Sequence, residues 1–282
     1  MPLVIVPTPI GNLEDITLRA LRVLNEADVI ACEDTRRTLR LLNRYSIRKP
    51  LLSFHEHNER KRTEELLRRL EAGDLVALVS DAGTPAVSDP GAMLLRACTK
   101  GGVAVDVLPG PTAFVPALVL SGFTLDTFSF HGFLPRKGRA RREALRLLEE
   151  ASGTVVLYVS PHRLGRDLED LAEALGDREA MLARELTKLH QETIRGKLPE
   201  LSEEMERNPR KGEFVLVIAT APAEINPAEK GQWQQEAQVL RERGLPVSEV
   251  VKVVKERYGI PKNAIKKWLL GSKDPEEGET NA

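Results

Sequence analysis

The chain has only two cysteines, Cys32 and Cys98, among its 282 residues. Two are too few for a disulfide framework, and no CxxC pair or His/Cys spacing typical of zinc occurs. No run of eighteen apolar residues occurs, which argues against a transmembrane helix. Met1-Pro2 leads directly into LVIV without a basic segment, so we predict no secretory signal. These absences favour a cytoplasmic protein that uses no metal.

Two phosphate-binding fingerprints, GxGxxG and GxxxxGK[ST], are also missing. Three loops rich in Gly, Pro, Ser, Thr or Asp nevertheless follow predicted strands, at residues 7–12, 80–91 and 109–113. In open α/β sheets, ligands bind beyond the carboxyl ends of the strands. The loops therefore predict a site for a small molecule that lacks a pyrophosphate. The alternative is that their Gly and Pro residues only form turns.

Strand and helix patterns alternate through residues 1–118, which we predict to form an α/β domain with a mostly parallel sheet. Its predicted strands are Leu3–Val6, Val29–Cys32, Leu51–Phe54, Leu75–Val79 and Val103–Leu108. Short runs rich in Leu and β-branched residues are typical of buried parallel strands, and we expect 75–79 and 103–108 to be buried.

Residues 123–220 are predicted to form a second α/β domain. Its predicted strands are Phe128–Phe133, Thr154–Val159, Met181–Leu186, His190–Arg195 and Phe214–Ala219, with helices at Arg139–Glu150 and Leu164–Leu175. The short turn between Leu186 and His190 favours an antiparallel pair, so this sheet is predicted to be mixed.

A linker, 220–231, precedes three short helical patterns in residues 231–273. The first ends at Gly244, Ser248 is predicted to cap the second, and the third spans 262–270. This segment carries nine Lys or Arg against four acidic residues in a chain of net charge −1. A helix-turn-helix-like module is predicted, and both nucleic-acid contact and packing on a partner subunit remain open.

Several motifs together resemble one bacterial family. They are PTPIGNL (7–13), CEDTR (32–36), VSDAGTP (79–85), DPG (89–91), LPGPTA (108–113), GFLP (132–135), SPHR (160–163), RELTK (184–188) and GEF (212–214). In this order they resemble the ribosomal RNA small-subunit methyltransferase I family, whose members are cytidine 2′-O-methyltransferases with the tetrapyrrole methylase fold. The resemblance covers essentially the whole chain. It implies a homodimer that binds S-adenosylmethionine between two α/β domains.

The resemblance also implies which residues hold the methyl donor. The expected donor-binding residues are Pro7, Ile10, Asp81, Gly83, Thr84, Pro85, Val87, Thr112, Ala113, Tyr158, His162 and Glu213. Many members of the superfamily have Gly-Asp-Pro where this chain has Gly83-Thr84-Pro85, so their carboxylate is absent at Thr84. Asp81 is the nearest substitute.

Methyl transfer to a ribose hydroxyl benefits from a general base, because the hydroxyl is a weak acid. We predict Asp34, Glu185 and Lys188 as the catalytic residues. Glu33, His55, His57 and His162 are further candidates. Each has a simpler interpretation: Asp34 caps the following helix, and Glu185 and Lys188 form a surface ion pair. The His55–His57 pair lacks a third metal ligand at a sensible spacing.

RNA binding needs a basic surface. The predicted RNA-binding residues are Arg36, Arg136, Lys137, Arg139 and Arg142. Arg141 belongs to the same cationic run as the last four. Arg37, Arg40 and Arg44 follow Arg36 at helical spacing and form a second cluster. The alternative is that these side chains are solvated helix faces.

We therefore predict 2′-O-methylation of a cytidine in small-subunit ribosomal RNA, free or within the assembled subunit. One alternative is a methyltransferase of the same fold that acts on a tetrapyrrole. Another is a non-catalytic RNA-binding protein, although intact glycine loops, which are costly to keep in a stable sheet, argue against it.

Overall fold

The computed structural model describes residues 2–220, 227–258, 265–266 and 268–269. The chain divides into two compact units, Met1–Thr220 and Ala221–Ala282. The two predicted sheet domains, 1–118 and 123–220, both belong to the first unit, and their bounds stay a prediction. No helix in the described segments is both long and apolar enough to cross a bilayer.

The first of two five-stranded sheets is entirely parallel, in the order β3-β2-β4-β1-β5. Its strands are β1 (Leu3–Ile5), β2 (Val29–Cys32), β3 (Leu51–Ser53), β4 (Val76–Val79) and β5 (Val105–Val107). Its helices are α1 (Leu18–Glu26), α2 (Thr35–Arg44), α3 (Glu59–Glu71) and α4 (Ala92–Lys100). Apolar residues of α1 and α2 pack against the strand side chains on one face of the sheet. Apolar residues of α3 and α4 pack against the alternating side chains on the other face. Helices therefore cover both faces, as a parallel sheet requires.

The expectation that residues 103–108 form a buried strand is wrong. Val105 and Val107 in β5 are 36% and 55% exposed. The strand lies at the edge of the sheet and pairs only with β1. An apolar run has the same pattern at an edge as at the centre, so the sequence did not distinguish the two positions.

The second sheet is mixed, as predicted, with the order β6-β7-β10-β8-β9. Its strands are β6 (Phe128–Phe133), β7 (Thr154–Val159), β8 (Glu179–Arg184), β9 (Glu192–Lys197) and β10 (Phe214–Ile218). Strands β6 and β7 are parallel, whereas β10 is antiparallel to both β7 and β8, and β8 to β9. The helices are α5 (Phe114–Ser121), α6 (Gly138–Glu149), α7 (Leu164–Leu175) and α8 (Leu198–Arg207). Helices α6–α8 pack with one face, while α5 packs with the other face together with Ile10.

Helix α8 is absent from the elements predicted from the sequence. Leu198, Leu201 and Met205 form its buried face. Glu200 accepts a hydrogen bond from the backbone amide of Lys197 at 2.9 Å, which caps the helix. Pro199 in the first turn followed by an acidic residue is a helix-start signal that would have identified it.

The second unit contains α9 (Pro227–Glu242) and α10 (Val247–Tyr258). Its apolar core includes Trp233, Val250 and Ile265. Gly244 adopts a positive φ of 82° after α9, as a helix end often requires. The predicted cap at Ser248 is wrong, because the carbonyl of Pro246 accepts the amide of Val250, so α10 begins before Ser248. Residues 265–266 and 268–269 are helical, and the rest of the predicted third helix lies outside the described residues.

Candidate functional site

The three Gly- and Pro-rich loops meet at the carboxyl edge of the first sheet, as parallel strands dictate. Thr8 and Gly83 exchange two backbone hydrogen bonds, of 2.9 and 2.8 Å, which join the first loop to the second. The hydroxyl of Thr84 donates to the carbonyl of Pro111 at 3.0 Å and joins the second loop to the third. The loops therefore form one connected surface.

The second loop has an unusual backbone. Gly83 has a φ of 82°, and the non-glycine residues Ala86 and Ser88 also have positive φ values, of 67° and 65°. Such angles are uncommon outside glycine and cost free energy, so the surrounding structure must enforce them. Contacts with the rest of the protein therefore hold this loop in a conformation that its own residues would not favour.

A cleft of about 330 Å³ lies between this loop surface and the second sheet. Eight predicted donor-binding residues line it: Ile10, Asp81, Gly83, Thr84, Val87, Ala113, Tyr158 and Glu213. Sequence reasoning missed other lining residues, among them Arg37, Ser88, Asp89, Phe133, Ser160, Pro161 and Leu186. Five of these residues stand inside the DPG, GFLP, SPHR and RELTK motifs, so position within a motif was the available signal.

Four predicted donor-binding residues do not line the cleft: Pro7, Pro85, Thr112 and His162. Pro7 packs so closely on the third loop that a Cβ at Gly110 would lie 2.7 Å from the Cβ of Pro7. Thr112 hydrogen-bonds the side chain of Tyr158. Both therefore shape the walls without facing the cavity.

One wall of the cleft is acidic. The pKa of Asp89 is raised to about 6, mainly by burial and also by the nearby carboxylates of Glu33 and Asp81, against a hydrogen bond from Ser80 that lowers it. Burial and the charge of Asp81 likewise raise the pKa of Glu33. Asp89 is thus a carboxyl group that changes its protonation near neutral pH.

The cleft is also lined by two aromatic rings, those of Phe133 and Tyr158. Tyr158 meets Phe130 edge-on, with ring centroids 4.9 Å apart, and lies 5.5 Å from the ring of Phe133. Phe114 stacks on Phe130. A cleft lined by both carboxylates and aromatic rings favours a cationic ligand, because both attract positive charge.

Asp34 lies beside the cleft but does not line it. Its carboxylate accepts the backbone amide of Arg36 at 2.8 Å and caps α2, while its own amide donates to Asp81 at 3.0 Å. Arg37 lies 3.3 Å from the other carboxylate oxygen of Asp81. In this geometry Asp34 supports the position of Asp81, and its catalytic role stays a prediction.

Glu185 and Lys188 form a brace together with Glu213, which lines the cleft. The Nζ atom of Lys188 lies 2.9 Å from Glu185 and 3.0 Å from Glu213. Burial raises the pKa of Glu185, but hydrogen bonds from Lys188 and from the amide of Glu213 outweigh this effect and leave the pKa below its usual value. A carboxylate with a low pKa is a weak base, so this geometry favours a positioning role for the pair.

The same brace contacts the first loop. A Cβ on Gly11 would lie 2.4 Å from Cγ of Lys188 and 2.7 Å from Oγ1 of Thr187. Thr187 accepts a hydrogen bond from the amide of Asn12 at 3.1 Å. The brace therefore fixes how closely the second sheet approaches the first loop.

The histidine candidates lie outside the cleft. Strand β3 ends at Ser53, so His55 and His57 are in the following turn, with ring centroids 5.9 Å apart. Nε2 of His55 lies 3.1 Å from the side-chain amide of Asn58. In the described part of the chain, no group of three His, Cys, Asp or Glu residues is placed to hold a metal ion.

The predicted RNA-binding residues are all exposed: Arg36, Arg136, Lys137, Arg139 and Arg142. Arg141, in the same run, is different. Its side chain is only 5% exposed and forms ion pairs of 2.9 Å with Asp167 and 2.5 Å with Asp170. Including Arg141 in the cationic surface was therefore wrong: it joins α6 to α7.

Comparison with known proteins agrees with this architecture. The family model for Tetrapyrrole (Corrin/Porphyrin) Methylases matches residues 2–202. A ribosomal RNA small subunit methyltransferase I from Thermotoga maritima is 51% identical over 77% of this chain and 97% of its own length. The protein of the same name from Escherichia coli O157:H7 is 44% identical over 95% of this chain and 94% of its own length.

Among solved structures, diphthine synthase has a TM-score of 0.63 at 15% identity, over 78% of this chain and 90% of that protein. Uroporphyrin-III C-methyltransferase from Thermus thermophilus, complexed with S-adenosyl homocysteine, has a TM-score of 0.56 at 20% identity, over 77% and 97%. At these identities the structures show a shared fold and nothing more. The resemblance seen in the sequence motifs is confirmed by the family match and the close relatives. The chain belongs to the tetrapyrrole methylase family and, within it, to the ribosomal RNA small subunit methyltransferase I group.

Proposed function

We propose that this chain transfers the methyl group of S-adenosylmethionine to the 2′-oxygen of a cytidine ribose in small-subunit ribosomal RNA. The names of its relatives support RNA methylation, and the motif resemblance supports the ribose oxygen as acceptor. The observation that carries the proposal is the cleft, with a fixed glycine loop, an acidic wall and two aromatic rings.

The cleft fits the proposed donor. S-adenosylmethionine supplies a methyl group on a positively charged sulfur, which leaves as a neutral thioether. The carboxylates of Asp81 and Asp89 and the rings of Tyr158 and Phe133, which all line the cleft, would hold that cation. The backbone of Gly83 and Ala113 allows close approach, and the cavity volume is within the range of small-molecule sites.

The chain's own residues would then orient the acceptor and accept its proton. An oxygen–carbon bond forms as the sulfur–carbon bond breaks, and the hydroxyl proton must go to a base. We assign this base as Asp89, because it lines the cleft and its pKa of about 6 allows it to be ionised at neutral pH while remaining more basic than an ordinary carboxylate. The brace of Glu185, Lys188 and Glu213 keeps Glu213, which lines the cleft, in place.

The donor-binding part of the proposal predicts that Gly83→Val weakens binding of S-adenosylmethionine at least tenfold. A β-branched side chain opposes the φ of 82° and projects toward Ile10, whose Cγ2 would lie 3.5 Å from the new Cβ. Gly102→Val is the matched control, because Gly102 has a φ of 68° but nothing within 4 Å of a Cβ and does not line the cleft. Titration calorimetry of both variants measures the donor affinity. Equal affinity of Gly83→Val and the parent would exclude this loop from the donor site.

The RNA-binding part predicts an electrostatic effect. Replacing Arg136, Arg139 and Arg142 by Ala should reduce the slope of log K against log[salt] by about 2 for single-stranded RNA, at about 0.7 per phosphate contact. Donor affinity should not change. The control replaces three exposed cations of α3, Arg60, Lys61 and Arg68, by Ala. If both triple variants show the same salt slope as the parent, these arginines do not contact RNA.

The substrate class is tested by offering the protein small-subunit ribosomal RNA and a tetrapyrrole separately, each with labelled donor. We expect label in the RNA alone. Label in the tetrapyrrole would favour the alternative reaction of this fold, and donor binding without transfer to either would contradict the proposed function. The predicted homodimer and cytoplasmic location remain proposals, and size-exclusion chromatography with light scattering tests the first.

A further inference from the structure

A second cavity, which we call the side pocket, lies next to the cleft. It has a volume of about 200 Å³, and its lining includes Thr8, Leu13, Arg37, Arg40, Ser80 and Asp81. Arg37 and Asp81 also line the cleft, so the two cavities share a wall. The side pocket is smaller than typical sites for whole ligands, which favours one chemical group of a larger substrate.

The polar groups of the side pocket are partly committed to other contacts. The hydroxyl of Thr8 donates to the carbonyl of Ser80 at 3.1 Å. The hydroxyl of Ser80 donates to carbonyls of its own loop. The carboxylate of Asp81 is held by the amide of Asp34 and by Arg37. The two hydroxyls and the carboxylate therefore already have hydrogen-bond or ion-pair partners within the protein.

Arg40 differs from these groups. Within the described residues, no ion pair joins Arg40 to a carboxylate, whereas Arg37 is paired with Asp81. Helix α2, on which both stand, has the sequence TRRTLRLLNR and carries no acidic residue. The only charged residues of this helix are arginines. A guanidinium that has no carboxylate partner is suited to a phosphate, because it can bind the phosphate with two parallel hydrogen bonds.

We propose that the side pocket binds a backbone phosphate of the RNA next to the ribose that is methylated, with Arg40 as the main contact. This inference rests on the proposed function. It places the phosphate on one side of the wall formed by Arg37 and Asp81, and the reacting ribose on the other. The pocket would then position the acceptor hydroxyl relative to Asp89, which lines the cleft.

The test compares Arg40→Gln with Arg48→Gln. Both remove one positive charge from an exposed arginine, one in α2 and one in the segment that follows it, but only Arg40 lines the side pocket. Fluorescence anisotropy with a short single-stranded RNA from the small subunit gives affinity as a function of salt. For Arg40→Gln we expect about tenfold weaker binding and a salt slope lower by about 0.7. For Arg48→Gln we expect less than a twofold change, and donor affinity should be unchanged in both.

Equal RNA affinity and salt slope for the two variants would overturn the side-pocket proposal. The same measurement separates it from the proposed function. If the parent binds RNA without methylating it, the proposed function fails, while the difference between Arg40→Gln and Arg48→Gln still decides the pocket. If the parent does not bind RNA at any salt concentration, both proposals are wrong.

Discussion

Replacing Asp89 by Asn is expected to lower methyl transfer by a factor of about 10²–10⁴, the usual contribution of a general base. The amide keeps the size of the side chain but cannot accept the hydroxyl proton. Single-turnover transfer at saturating donor and RNA measures the effect on the chemical step. The fold should survive, because the raised pKa of Asp89 means that its ionised form is disfavoured in the folded state.

The pH dependence supplies a second readout of the same prediction. For the parent, kcat/KM should rise about tenfold per pH unit below the Asp89 pKa of about 6 and level off above it, because the ionised carboxylate is the active form. Asp89→Asn should lack this rise. The free energy of unfolding should instead fall as the pH rises from about 4 to 6. In this range the folded parent still holds the proton on Asp89, whereas the unfolded chain has lost it. Asp89→Asn should therefore be at least as stable as the parent at pH 7.

Asp34→Asn is the comparison that discriminates between two candidate bases. The cap that Asp34 provides for α2 would be kept, since Asn caps helices about as well as Asp. We expect its single-turnover rate to lie within twofold of the parent. A slow Asp34→Asn variant beside a normal Asp89→Asn variant would assign the proton to Asp34 instead.

Replacing Arg141 by Ala is expected to lower the free energy of unfolding by about 3–5 kcal/mol, the cost of breaking a buried ion pair from one side. Asp167 would keep its charge at a position where its side chain is only 2% exposed.

Arg142→Ala is the matched control for this effect. Arg142 is the adjacent residue and is exposed, so its replacement should change the stability by no more than about 0.5 kcal/mol. Urea denaturation of both variants measures the difference. If Arg141→Ala were as stable as Arg142→Ala, the ion pairs between α6 and α7 would contribute nothing to the fold.

The sequence patterns predicted the ten strands to within two residues at each end, because most of the strand runs are short, apolar and bounded by Gly, Pro or polar residues. They also predicted that three loops after β1, β4 and β5 meet in one site, since parallel strands bring their carboxyl ends to one edge. Motif order identified the family, which the close relatives confirm.

What the sequence could not supply depends on three-dimensional context. Strand β5 lies at the edge because of the order in which the strands pair, and an apolar run in the sequence does not reveal that order. Arg136, Arg141 and Arg142 look alike in the sequence, and only the packing of α6 on α7 buries one of them. The raised pKa of Asp89 comes from burial and from Glu33, 56 positions away in the chain. The sequence shows the chemical type of each of these residues, but their burial and their neighbours are known only from the fold.

The most direct test of the account is transfer of labelled methyl from S-adenosylmethionine to small-subunit ribosomal RNA and to assembled small subunits, followed by alkaline hydrolysis and mapping. A 2′-O-methyl group removes the hydroxyl that attacks the neighbouring phosphodiester, so the label should be recovered in an alkali-resistant dinucleotide whose first base is cytosine. Label released as an ordinary mononucleotide would place the methyl group on a base. That result, or no transfer to RNA in either form, would contradict the proposed function.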